Sequence, residues 1–305
     1  MSMMTTAELR GYQQICGDNG AMMVIACDQR GGMRQLLADD PEAQAKIGND
    51  VLGDTKADIT RYLASEAGCV LVDPVCAVPH LVDNWVLPRT TALLIGLDAS
   101  GWDVSPEGYR ISKVCEGVNA RKVRELGGTG GKIMVYLRSD KPEANTRNLE
   151  ILKDCIDDFA REELFLVVEF LTYRLEDESK EAYEAIFSQL ILDGCKLSLD
   201  LGAKVLKIPY PGSDDACAAV SKLCGDTPWA VLSAGVDHST FLVQVESAMK
   251  HGASGVIAGR SLWKDCISLD RSVTKSRLQE IAVPRLREIQ AIIDRYASVL
   301  RRQAA

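Results

Sequence analysis

The stretch LFLVVEF (Leu164–Phe170), an amphipathic segment over Lys180–Leu201, and then AKVLKI (Ala203–Ile208) read as strand, helix, strand. Both apolar runs are too short to span a membrane and too apolar for a strand with one wet face. They suit strands buried on both sides of a parallel sheet. Working outward, six more runs of the same kind appear. MMVIAC (Met22–Cys27), CVLVD (Cys69–Asp73), ALLIGL (Ala92–Leu97) and KIMVY (Lys132–Tyr136) precede this unit, and WAVLSAG (Trp229–Gly235) and SGVIAG (Ser254–Gly259) follow it. Each closes on polar residues or glycine and leads into an amphipathic stretch. Eight such repeats in 305 residues predict an α/β protein, a single (β/α)8 or TIM barrel. In that architecture chemistry gathers at the C-terminal ends of the strands.

No Pro/Gly/Ser-rich linker interrupts the rhythm, so residues 1–305 are expected to form one barrel domain. A short N-terminal helix near Thr6–Gly17, capped by Thr5 or Thr6 with Glu8 in its first turn, should cover the barrel floor. Later helices are expected over Asn145–Glu163, Lys180–Leu201, Asp214–Cys224, Ser239–His251 and, at the C-terminus, Pro284–Arg302. The last carries an apolar stripe that can pack on the barrel or on another subunit, which leaves a homo-oligomer open. The longest irregular stretch runs from Val75 to about Val118 with the third strand inside it, and such loops usually build or cover a site.

At 47% apolar and 26% charged residues, the composition is that of a soluble globular protein. No apolar run reaches spanning length and MSMMTTAELRGYQQ has no apolar signal core, so a cytoplasmic location without a membrane partner is expected. A net charge of −8 argues against nucleic acid, which needs a basic face. It leaves a small anionic substrate open. Ten cysteines and three histidines show neither C-x-x-C nor H-E-x-x-H spacing, so neither a metal site nor disulfides are expected. Cys27, Cys69 and Cys195 lie in apolar surroundings, where cysteine behaves as a small hydrophobe.

Lys207 stands almost at the C-terminal end of the sixth run, just before Pro209 and Pro211. A lysine buried there must be paired or lose its proton. Losing the proton is what imine chemistry requires, since a free lysine is neutral only in about one part in two to three thousand at pH 7. A lysine snorkelling to the barrel mouth, or one in a structural ion pair, would read the same from position alone. Lys204 is its rival, but odd spacing turns it to the opposite face, towards the helices.

Lys132 opens the fourth run and Glu169 lies near the end of the fifth, so neighbouring strands can bring both to Lys207. A second ammonium would disfavour the charge on Lys207, and Glu169 could move protons during imine formation and breakdown. A structural Glu–Lys pair is the plainer alternative. Lys132 enters early in its strand and must point upward to reach the mouth. After the first run, Asp28, Gln29 and Arg30 precede two glycines. Arg30 suits an anion and Asp28 a hydroxyl or acid–base role, unless they form a loop salt bridge. Ser233 and Gly235 after the seventh run, and Gly259 and Arg260 after the eighth, fall where barrels commonly bind phosphate. Two ordinary glycine turns and a solvated arginine would look alike.

The order and spacing of DQRGGMR, LVDP, GGKIMVYLRSD, VVEFLTY, AKVLKIPYP, LSAGVD and AGRSLW resemble the class I tagatose-1,6-bisphosphate aldolases and the related sulfofructose-1-phosphate aldolases over most of the chain. The resemblance implies that Lys207 forms a Schiff base with a phosphorylated ketose, releasing dihydroxyacetone phosphate and an aldehyde, with no metal and no cofactor. It assigns proton transfer to Glu169, and tuning of the lysine and hydroxyl binding to Lys132 and Asp28. Gln29 and Arg30 would contact the substrate, and Gly259 and Arg260 match the family's anion site, to which position adds Ser233 and Gly235. The sequence departs from the pattern where Ile208-Pro209 follows Lys207 without the usual acidic residue, and where Glu169-Phe170 stands for Glu-Pro. YLRSD is nearer the sulfosugar branch, FLTY and SGWD nearer the tagatose branch. Substrate identity, C4 stereochemistry and the base for the C4 hydroxyl stay open. Two other readings also stand: a phosphate-binding barrel enzyme using Lys207 as acid/base without an imine, and a sugar-phosphate sensor without turnover.

Overall fold

Side-chain alternation divides each apolar run into two buried faces, and the two faces make two cores. The computed structural model describes residues 4–304, with side chains through Ala297. The barrel strands are β1 (Met22–Ala26), β2 (Cys69–Val72), β3 (Ala92–Gly96), β4 (Gly130–Tyr136), β5 (Leu166–Leu171), β6 (Leu206–Pro209), β7 (Trp229–Leu232) and β8 (Gly255–Ala258). All are parallel, each pairs with its neighbours in sequence, and β8 closes on β1. Inside the barrel, Met22, Val24, Leu71, Leu94, Val167 and Ile257 belong to one buried cluster. The alternate residues Met23, Ile25, Val70, Ile95, Val168 and Val256 face the helices and join a larger outer core.

The inner rows carry the site. Following the same parity towards the mouth leads to Asp28 after β1, Asp73 after β2 and Asp98 after β3, then to Lys132, Glu169 and Lys207 on β4, β5 and β6. Five of these rows are apolar at the floor and ionic at the top, because successive inward positions climb the barrel axis; on β4 the charge enters lower, with Met134 and Tyr136 above Lys132.

The floor is sealed as expected. The helix Thr6–Ile15 begins at a Thr5–Glu8 capping box, and Ile15 packs into the inner cluster with Tyr12 and Cys16 at its edge. Gly11 lets the helix approach closely, since a Cβ there would lie 2.7 Å from the Phe165 ring. Lys204 lies just below β6, at the end of the barrel away from the mouth, with Nζ 2.7 and 2.6 Å from the two Glu8 carboxylate oxygens. It ties the floor helix to the barrel rather than competing with Lys207.

Outer helices span Pro142–Arg161, Lys180–Asp200, Asp214–Cys224 and His238–Lys250, within three residues of the expected bounds. The terminal helix, Val283–Ala304, is longer than expected and continues from a π-helical turn over Leu278–Ala282. Its stripe of Leu286, Ile289, Ile293 and Ala297 is buried in the outer core, so it packs on its own barrel. The segment after β2 is more ordered than its sequence indicates. It contains a helix at Val78–Asp83 and, after β3, a two-stranded antiparallel pair of Asp103–Val104 with Arg110–Ile111. Asn148 pins this pair, accepting from Ser112 N at 2.8 Å and donating to Arg110 O at 2.8 Å. Among the described residues no helix is long and apolar enough to cross a membrane.

Candidate active site

Glu169 and Lys207 stand opposite each other in the β5–β6 ladder, and Lys207 Nζ donates to Glu169 Oε2 at 2.9 Å. Lys132 pairs in register with Val167, two positions below Glu169. Its side chain therefore runs up the barrel, and its Nζ lies 3.0 Å from the same Oε2. The same ammonium reaches Asp28 Oδ2 at 2.7 Å and Asp98 Oδ1 at 2.7 Å. With Lys132 2% and Lys207 5% exposed, these charges persist only because each is matched.

The three carboxylates are not alike. Burial pushes the Asp28 carboxyl up, but the ammoniums of Lys132 and Lys207 outweigh it and hold the group well below the usual range. For Asp98, burial is the largest influence. The charges of Asp28 and Glu169 act in the same direction, and its pKa is raised despite Lys132. Lys132 is driven well above its ordinary value, because Asp28, Asp98 and Glu169 together overcome its burial.

Asp28 also accepts Gln29 Nε2 at 2.9 Å, while Gln29 Oε1 is buried without a hydrogen-bond partner among the described residues. Arg30 is anchored towards β3, donating from Nη2 to Asp98 O at 2.8 Å and from Nε to Ser100 Oγ at 3.3 Å. Its Nη1 lies 3.6 Å from Asp73 Oδ1. Asp73 is in turn paired with Lys56, a fully buried residue of the helix Asn49–Leu63, and accepts the backbone N–H groups of Val75 and Cys76 at 2.9 and 2.8 Å. Burial opposes ionisation of Asp73, yet Lys56 and these bonds hold its carboxyl below the ordinary range. Sequence reasoning singled out neither Asp98 nor the Lys56–Asp73 pair. For Asp98 the available signal was inward parity: Ala92, Leu94, Gly96, Asp98.

On the opposite side of Lys207, the loops after β7 and β8 approach each other. Ser233 is buried, and the next two residues are left-handed, Ala234 at φ 48° and Gly235 at φ 81°. A non-glycine residue in that region costs roughly 1–2 kcal/mol, and such strain clusters at functional sites. A Cβ on Gly235 would lie 3.4 Å from Arg260 Cζ, and one on Gly259 3.1 Å from Ala26 O. The Arg260 side chain is exposed, and its guanidinium makes no hydrogen bond or ion pair among the described residues. A cavity of about 150 Å³ between these loops and Lys207 continues past Glu169 into a space of about 390 Å³ bordered by Asp28, Arg30, Asp98, Trp102 and Tyr136. The structure thus gathers all ten sequence-predicted residues around one continuous opening. Arg138, of the YLRSD motif, lies to one side, bonded to Asp140 and Glu178 at 2.8 Å and to Tyr173 O at 3.0 Å. Among the described residues no group of His, Cys, Asp and Glu is disposed to hold a metal ion.

Residues 22–265 match the DeoC/LacD family aldolases. The chain belongs to this family. It is 24% identical over 289 residues to the tagatose 1,6-diphosphate aldolase 1 of Enterococcus faecalis, across 87% of this chain and 86% of that one. It is 23% identical over 326 residues to the tagatose 1,6-diphosphate aldolase 2 of Streptococcus agalactiae, across 97% and 98%. The fold is shared with an archaeal fructose 1,6-bisphosphate aldolase, at TM-score 0.64 and 16% identity over 93% of this chain and 98% of that one. It is also shared with the fructose-bisphosphate aldolase of Slackia heliotrinireducens, at TM-score 0.66 and 18% identity over 94% and 90%. As a DeoC/LacD aldolase the protein is a lyase.

Proposed function

We propose that this DeoC/LacD aldolase cleaves a phosphorylated ketose, of the tagatose or fructose 1,6-bisphosphate or sulfofructose 1-phosphate type, through a Schiff base on Lys207. The observation that carries this reading is the placement of Lys207. Its Nζ stands at the C-terminal end of β6, faces the cavity, and has a carboxylate oxygen of Glu169 at 2.9 Å. The names of the curated relatives, both tagatose 1,6-diphosphate aldolases, support the substrate class.

Lys207 gives a proton to Glu169 and its free amine attacks C2 of the ketose. Glu169 returns a proton to the C2 oxygen of the carbinolamine, and water leaves as the iminium forms. The iminium then withdraws the C3–C4 bonding pair, an aldehyde departs, and the enamine left behind takes a proton at C3. Hydrolysis restores Lys207 and releases dihydroxyacetone phosphate. In this reading Lys132 stays charged, keeps Glu169 in place and, with Asp28, holds substrate hydroxyls. The C1 phosphate lies between Ser233, Gly235, Gly259 and Arg260, and Gln29 and Arg30 orient the sugar.

Incubation with dihydroxyacetone phosphate and sodium borohydride, followed by intact-mass and peptide mapping, tests this directly. One reduced adduct on Lys207 is expected. Phosphate binding without an adduct would sink the imine mechanism and leave Lys207 an acid/base or a binding residue. An adduct on Lys132 would keep the reaction class and overturn the assignment.

A further inference from the structure

The Schiff-base reading leaves one proton unassigned: the C4 hydroxyl must lose it as the C3–C4 bond breaks. We propose that Asp98 is the general base that removes it, an inference resting on that reading. The barrel order sets the direction. With the C1 phosphate at the loops after β7 and β8 and C2 on Lys207 of β6, the sugar continues across the mouth towards β3 and β4. Asp98 stands there, two residues past the end of β3.

The inventory of carboxylates at the mouth points the same way. Glu169 is engaged by both ammoniums and belongs to Lys207. Asp28 has Oδ1 on Gln29 and Oδ2 on Lys132. Asp73 is buried beneath, tied to Lys56 and two backbone amides. Asp98 spends only Oδ1, on Lys132, and its Oδ2 makes no hydrogen bond among the described residues. Its side chain is 18% exposed, against 8% for both Asp28 and Glu169, and it borders the 390 Å³ part of the cavity, where the distal half of the sugar must lie. The backbone around it is fixed: Leu97 N donates to Lys132 O at 2.8 Å and Ala99 N to Lys113 O at 2.7 Å. A base must also hold the proton it takes. Burial, with the charges of Asp28 and Glu169, raises the Asp98 pKa despite Lys132, whereas that of Asp28 is lowered.

The C4 O–H bond breaks and its proton moves to Asp98 Oδ2, while the C4–O bond becomes the aldehyde carbonyl. The C3–C4 pair moves towards the iminium, giving the enamine and neutralising its nitrogen. Asp98 returns its proton to water once the aldehyde has left, and a solvent proton at C3 completes the product.

Asp98→Asn separates this role from any other, because hydrogen exchange into dihydroxyacetone phosphate needs the Schiff base and enamine but not the C4 base. Ketose bisphosphate cleavage should fall about 10²–10⁴-fold. The borohydride adduct on Lys207 and deuterium exchange at the dihydroxyacetone phosphate carbon should stay within a few-fold of the unaltered enzyme. Asp98→Ala, carried in parallel, should show the same split, with adduct formation reporting the folded site. Cleavage within tenfold of normal, or loss of adduct and exchange along with cleavage in both variants, would overturn the assignment. No adduct in the unaltered enzyme would overturn the Schiff-base reading itself, and this inference with it.

Discussion

Lys132 and Lys207 share a single oxygen, Oε2 of Glu169, at 3.0 and 2.9 Å. One carboxylate thus neutralises a structural ammonium and the proposed nucleophile at once. When Lys207 passes its proton to this group, Lys132 still stabilises the site, because Asp28 and Asp98 hold Lys132 charged. Glu169→Gln removes the proton carrier while keeping the shape. Expected is a fall in turnover of about 10²–10⁴-fold, together with slower build-up of the borohydride-trapped adduct under the same conditions. Lys207→Met should give no adduct at all. Glu169→Gln trapping at the normal rate would assign the proton transfers elsewhere.

Lys132→Met should be more harmful to the fold than to the list of contacts. It removes one ammonium and leaves Asp28, Asp98 and Glu169 facing each other in a buried site. Deleting one partner of a buried ion pair costs about 3–5 kcal/mol. Urea unfolding at neutral pH should show a loss of that order. Asp28→Asn in the Lys132→Met background should return part of it, since one uncompensated carboxylate is gone; no recovery would show that the charges are not the cause.

The pH dependence has a definite sign. Asp28 and Asp73 have lowered carboxyl pKa values in the folded chain and ordinary ones when unfolded. Their contribution to stability is complete above the unfolded value, about pH 4, and is lost as pH falls through the folded one. Asp98 is raised, so its contribution is present below the unfolded value and lost as pH climbs through the folded one. At pH 7, Asp28→Asn should therefore destabilise more than Asp98→Asn, and it should also flatten the acid limb below about pH 4. Unfolding midpoints between pH 3 and 8 check both statements. The reverse ranking would mean that hydrogen-bond geometry, not charge, dominates at these positions.

What the sequence disclosed follows from how burial writes itself into residue patterns. The strands were legible because parallel barrel strands are apolar on both faces, so each run stands out against its amphipathic helix. Glu169 and Lys207 were legible for the converse reason, as charges inside such runs. Asp98 was hidden because it lies past the end of β3, where a polar residue is ordinary, and only the inward count from Ala92 sets it apart. Lys56 was hidden in the helix NDVLGDTKADITRYL, whose fully buried lysine looks like any solvated one until Asp73 is placed against it. The antiparallel pair of Asp103–Val104 with Arg110–Ile111 is too short to show a period.

Arg260 offers the most direct view of the proposed phosphate site, since its guanidinium has no partner to lose among the described residues. A charge-assisted bond to a substrate anion contributes about 1.5–3 kcal/mol, so Arg260→Ala should raise KM roughly 10–150-fold while kcat changes much less. Inorganic phosphate should inhibit the unaltered enzyme competitively and lose most of that effect in the variant. Gly235→Ala acts on the same site differently. The methyl must occupy a left-handed position, φ 81°, and would lie 3.4 Å from Arg260 Cζ, so the guanidinium has to shift by a few tenths of an ångström. It should lower stability by roughly 1–2 kcal/mol and raise KM by less than Arg260→Ala does. If Arg260→Ala instead lowered kcat and left KM and phosphate inhibition unchanged, the phosphate would have to lie elsewhere, and the assigned direction of the sugar across the mouth would be wrong along with it.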